Sequence, residues 1–131
     1  MLNAAAAAAD RLSVSAPIAN IRSNAGENYK ILWKIEKYHP LERIKTSGEW
    51  YYVQDYEGDK GWVYKRAVSQ SPSVIVIKDR SNVRSSPNTN ARILFSADKG
   101  VSFKVLERKT EWIHIEHADG DKGWIHQTSV W

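Results

Sequence analysis

Shifted by 62 positions, the sequence lies on itself without a gap. Asn20-Ile21-Arg22-Ser23 falls on Asn82-Val83-Arg84-Ser85, and Ile31-Leu32 on Ile93-Leu94. Glu49-Trp50 falls on Glu111-Trp112, and Gly58-Asp59-Lys60-Gly61-Trp62-Val63 on Gly120-Asp121-Lys122-Gly123-Trp124-Ile125. Trp33/Phe95 and Ile44/Leu106 are conservative pairs in the same frame. An internal period of this length outranks any local reading of the chain. With 131 residues, the chain has room for one ordinary domain or two very small ones, and the repeat selects two. The expected division is an Ala-rich segment at 1–10, a first domain at 11–69 and a second at 72–131. Gln70-Ser71-Pro72 forms the joint, too short to be a free tether.

Inside each copy the hydrophobic period is two. Trp112-Ile113-His114-Ile115-Glu116 alternates apolar and polar, and Val74-Ile75-Val76-Ile77 is a short apolar run. Runs of four to six residues recur between turn clusters such as Thr46-Ser47-Gly48 and Asp119-Gly120-Asp121. Short, evenly spaced strands with Gly/Asn/Asp turns predict a small barrel or sandwich. Glu57-Gly58 and Asp119-Gly120 suit tight hairpins, because glycine accepts the positive φ that such turns need. No segment sustains a helical period.

The order of these signals resembles the bacterial Src-homology-3-like (SH3b) domain family. The second copy carries Ser81-Asn82-Val83-Arg84-Ser85-Ser86-Pro87, then Trp112-Ile113-His114-Ile115, then Asp119-Gly120-Asp121-Lys122-Gly123-Trp124-Ile125. The first carries Ala19-Asn20-Ile21-Arg22-Ser23, His39-Pro40-Leu41-Glu42-Arg43-Ile44, Trp50-Tyr51-Tyr52-Val53 and Gly58-Asp59-Lys60-Gly61-Trp62-Val63. Ala25-Gly26 and Ser102 depart from the family pattern and bear on loop shape alone. The resemblance implies an all-β fold: two tandem small SH3-like barrels, each of five to seven short strands. It also implies binding to cell-wall peptides or glycans.

Composition narrows the function classes. The chain is 42% hydrophobic and 26% charged, in the range of folded domains. Its net charge of +4 and pI near 9.3 give a mild basic bias. The even mixture of signs speaks against nucleic acid as the partner. Cysteine is absent, which removes disulfides, thiolate zinc sites and cysteine nucleophiles. Met1-Leu2-Asn3 followed by Ala4 to Ala9 reads as the tail of a secretory signal, or as a frayed helical turn. A periplasmic or secreted location follows from the first reading. No stretch approaches the ~20 apolar residues of a membrane span.

Strand alternation separates the faces. Ile113, Ile115 and Ile125 should point into the second barrel, and Tyr51, Val53 and Val63 into the first. Trp50, Tyr52, Trp62 and Tyr64 then share the outer side of one hairpin, and Trp112, His114, Trp124 and His126 that of the other. Two readings of the tryptophans stay open. They pack under the long first loop or between the domains, or they form a groove that stacks on sugar rings or clamps an extended peptide. Residues that differ between the copies are the better candidates for ligand choice, so Tyr29 and Trp33 from the long loop and Tyr56 join the first set. Arg22 and Arg84 either pin the loop or clamp an anion. Asp59 and Asp121 are turn-formers.

His114, Glu116 and His126 would share a face, but the first copy has Tyr52, Gln54 and Tyr64 there, so no metal site is assigned. Paired acids at catalytic spacing, a nucleophile elbow and a phosphate loop are all missing. The expected protein is therefore a monomeric, non-catalytic, cofactor-free binding module for peptidoglycan or an envelope protein. The alternatives are a nucleic-acid-binding small barrel and an adaptor that pairs β-edges or binds Pro-rich peptides.

Overall fold

The structure, a computed structural model, describes residues 10–131. The alanine run lies outside the described residues. The described residues divide into two compact units, which part between Pro72 and Ser73. Each unit is an antiparallel β structure with its own core, as the family resemblance implied.

The first unit runs β1 (Arg11–Val14), β2 (Ile18–Arg22), β3 (Ile31–Glu36), β4 (Pro40–Ser47), β5 (Trp50–Gln54), β6 (Lys60–Tyr64), a 3-10 turn (Lys65–Ala67) and β7 (Val68–Ser69). These strands form one seven-stranded sheet in the order β3-β2-β6-β5-β4-β1-β7. The second unit runs β8 (Ser73–Ile75), β9 (Arg80–Arg84), β10 (Ile93–Asp98), β11 (Ser102–Lys109), β12 (Trp112–Glu116), β13 (Lys122–His126) and a 3-10 turn (Gln127–Ser129). Its six strands are ordered β10-β9-β13-β12-β11-β8. An isolated bridge from Val76 to Val130 stands where β1 meets β7 in the first unit.

The cores are built by alternation. Ile21, Val53 and Val63 are fully enclosed in the first unit, and Val83, Ile115 and Ile125 take the same places in the second. Leu12 and Val14 answer to Val74 and Val76. Two pairs trade volume: Ile35 and Leu41 in the first core become Ala97 and Phe103 in the second. A smaller residue at one position and a larger one at the other keeps the interior filled.

Closure depends on β2 lying against β6, and on β9 lying against β13. Trp62 pairs with Arg22, and Trp124 with Arg84. The residue before each tryptophan is glycine for a reason of space. A Cβ on Gly61 would press on Ile21 and come within 3.1 Å of the Arg22 carbonyl oxygen. A Cβ on Gly123 would meet Val83 at 2.5 Å and the Arg84 oxygen at 3.1 Å. The β5–β6 and β12–β13 hairpins turn through Gly58 and Gly120, at φ +86° and +101°. Asp55 backs the first turn, its Oδ1 accepting from the N–H groups of Glu57 (2.9 Å) and Asp59 (3.0 Å). In the second turn Asp119 accepts from the Asp121 N–H (3.1 Å).

Bulges bend the long strands at equivalent places. The β4–β5 register slips between Arg43 and Lys45, and the β11–β12 register between Val105 and Glu107. Ile44 and Leu106 are the extra residues and are exposed. Leu32 and Leu94 are the corresponding extra residues where β3 pairs with β2 and β10 with β9. A bulge raises the local twist and bends the strand, which lets a short sheet curl back on itself.

Candidate functional site

The register lines up one outward row across each sheet. In the first unit it reads Lys45, Tyr52, Trp62, Arg22 and Ile31, each paired with the next across a strand boundary. The rings of Tyr52 and Trp62 lie 5.0 Å apart at 40°. The Lys45 ammonium sits over both, 5.2 Å from the Tyr52 ring centre and 5.8 Å from that of Trp62. A second pair, Trp50 with Tyr64, lies alongside at 5.3 Å. All four rings are half-buried, so the outer face of the β5–β6 hairpin is a contiguous aromatic surface.

Arg22 fixes the border of this surface. Its Nη1 donates to the carbonyl oxygens of Glu27 and Tyr29, both at 2.9 Å. The long loop is thereby held against the end of the row. Tyr29 stays 47% exposed. Arg84 does the same in the second unit, donating to the Ala91 oxygen at 2.9 Å. Of the two roles open to these arginines, the geometry displays the loop-pinning one.

The equivalent row in the second unit is Glu107, His114, Trp124, Arg84 and Ile93. His114 lies flat on Trp124, with centroids 4.6 Å apart and planes at 10°. Its Nδ1 is 4.0 Å from Glu107 Oε1. Trp112 meets His126 edge-on at 5.1 Å, but Trp112 is only 8% exposed and offers little surface to a ligand. His126 is tied into the fold. The Thr128 N–H donates to its Nδ1 at 3.2 Å, and its Nε2 lies 3.0 Å from Glu111 Oε1. His114 and His126 thus have separate partners, and among the described residues no three His, Asp or Glu are arranged to hold a metal.

Three residues named from sequence stand apart from the rows. Trp33 is on β3 and not in the loop. It pairs with buried Ile21 and packs against the first core. Tyr56 follows β5 and faces His39 at 6.3 Å. Burial, then the Glu57 and Asp55 carboxylates, push its phenol pKa up. Trp112 is outward by alternation but covered. Conversely, Lys45 and Glu107 belong to the rows and escaped the sequence reading. Alternation counted along β4 or β11 is thrown off by the bulge residue, so only the hairpin geometry reveals which side chain reaches the rings.

The sequence matches the model of the family described as "Bacterial SH3 domain" twice, over residues 15–70 and 77–131. It is similar to "Putative N-acetylmuramoyl-L-alanine amidase YrvJ" of Bacillus subtilis (strain 168), 24% identical over 122 residues, covering 85% of this chain and 23% of that protein. It is also similar to "Probable cell wall amidase LytH" of Staphylococcus epidermidis, 36% identical over 52 residues, covering 39% of this chain and 18% of that one. The chain therefore spans about a quarter or less of the length of these relatives. Among solved structures, an NlpC/P60 family protein from Bacillus cereus aligns at a TM-score of 0.43 and 12% identity, covering 92% of this chain and 55% of that one.

Proposed function

This chain belongs to the bacterial SH3 domain family, and from that premise we propose that it is a non-catalytic binding module that holds peptidoglycan through the aromatic rows of its two barrels. The observation that carries this reading is the pair of outward rows, Tyr52–Trp62 and His114–Trp124, presented on the same hairpin of each unit. Neighbouring aromatic rings on a sheet offer apolar area for a pyranose ring or an extended peptide to pack on, with polar groups at the border. Relatives of this segment carry names of cell wall amidases, in which the matched part is about a quarter of the protein or less. A cell-surface, periplasmic or secreted site of action accords with these relatives. Among the described residues no helix is long and apolar enough to cross a membrane.

The test is retention of the intact protein on purified sacculi. Wild-type chain should co-sediment, and Tyr52→Ala together with His114→Ala should lower the affinity by about tenfold, the equivalent of ~1.4 kcal/mol. Absence of retention at every salt concentration would refute the reading. Capture on heparin that disappears with moderate salt, without sacculus binding, would favour nucleic acid instead.

A further inference from the structure

The two rows share their tryptophan and arginine but end on opposite charges. Lys45 stands over the aromatic pair of the first unit, and Glu107 occupies the same register position in the second. We propose that the first row selects a sugar carrying a carboxylate, through Lys45, and that Glu107 denies the second row that ligand. The inference rests on the peptidoglycan reading and names the ligand feature that the first site prefers.

The argument is geometric. The Lys45 ammonium is 5.2 and 5.8 Å from the two ring centres, so a pyranose ring that packs on Tyr52 and Trp62 takes its place on the face and has the lysine, on its flexible stem, at its edge. A carboxylate on that sugar then reaches a cation across a partly dehydrated aromatic surface, where attraction is stronger than in bulk water. In the second unit the same substituent would meet the Glu107 carboxylate beside His114, and like charges at that distance repel. The flanking rows confine the contrast to the position held by Lys45 and Glu107, since Lys109 pairs with Trp112 where Ser47 pairs with Trp50. Glu42 and Lys60 offset each other around Gln54 in the first unit, and Lys104 and Lys122 flank Glu116 in the second.

N-acetylmuramic acid adds a 3-O-lactyl ether with its carboxylate to N-acetylglucosamine, and its methyl ester keeps the ether but not the charge, so the three sugars together isolate the effect, the ester behaving as N-acetylglucosamine does. Titrations of the intact protein would follow the indole N–H resonances of Trp62 and Trp124 by NMR. The Trp62 signal should respond to N-acetylmuramic acid at about fivefold lower concentration than to N-acetylglucosamine, the size of a good exposed ion pair. Lys45→Glu should erase that preference, and Glu107→Lys should create one at Trp124. Each replacement installs the residue that the other copy already tolerates in an exposed place, so both barrels should fold. Equal response to N-acetylmuramic acid and N-acetylglucosamine at Trp62, an unchanged preference in Lys45→Glu, or silence of both indoles overturns the inference. Sacculus binding that persists with no sugar preference refutes this inference alone. A preference at Trp62 without sacculus binding upholds it and refutes the peptidoglycan reading.

Discussion

His39 and Val101 occupy one backbone environment, each accepting a hydrogen bond through its carbonyl oxygen, from Val14 at 3.0 Å and from Val76 at 2.9 Å. Their side chains differ in what burial costs. The Nε2 of His39 is enclosed with no hydrogen-bond partner. Burial holds its pKa below the ordinary 6.5, with Asp55 and then Glu36 pulling the other way. A histidine whose folded pKa is depressed leaves the unfolded chain binding more protons, so stability is full above about pH 6.5 and falls as the pH drops below it. The loss cannot exceed ~1.4 kcal/mol per pH unit for one group. His39→Val should flatten that acid slope, which urea melts at pH 7.5 and 5.0 would reveal. A slope equal to wild type would disprove the assignment. Ser81 is the complementary case. It stands where the first core has Ala19, and its buried Oγ also lacks a partner. Ser81→Ala should stabilise the second unit by about 1 kcal/mol in chemical denaturation. The alternation of Val53, Val63, Ile113 and Ile115 was readable from the sequence because a half-buried strand has no other way to arrange them. The isolation of His39 Nε2 was not, since it depends on what the neighbouring strands fail to offer.

At the level of the strand, the Gly-Trp-(Val/Ile) motif has a spatial cause. Gly61 and Gly123 allow β6 to lie on β2, and β13 on β9, without a Cβ between them. Gly61→Ala should destabilise the first unit by about 1–3 kcal/mol, as overpacking does. A thermal midpoint within a degree of wild type would contradict this. Sequence alone marked the motif but attributed its glycine to no contact, because the partner strand is some forty residues away. The bulges had the same effect on the site. Ile44 and Leu106 reset the parity of β4 and β11, so Lys45 and Glu107 could not be placed on the aromatic face by counting. The sequence reading puts Trp33 in the long loop. Its place on β3 follows from pairing with Ile21, a long-range fact.

Across the whole chain, the two units share an architecture while differing in chemistry. The first holds the buried histidine and the lysine over its rings. The second holds valine and glutamate in those places. Acid should therefore act on one unit before the other. Hydrogen exchange of the intact protein at pH 5 should report faster opening of β4 to β6 than of β11 to β13, while at pH 7.5 the two should be closer; identical changes in both units would count against it. The 62-residue offset made the common framework plain from the start, and the same offset, read for its mismatches, points to where the copies have diverged. The bulged edge has a further consequence. β3 and β10 end their sheets, and each displays exposed isoleucine and leucine, the kind of border that recruits foreign strands. Leu32 and Leu94 interrupt the ladder there, so an incoming chain finds donors and acceptors out of step after one or two bonds. The bulges thus work against growth of the sheet by foreign strands, and deleting Leu32 or Leu94 should raise the tendency to aggregate, which light scattering at rising protein concentration would show.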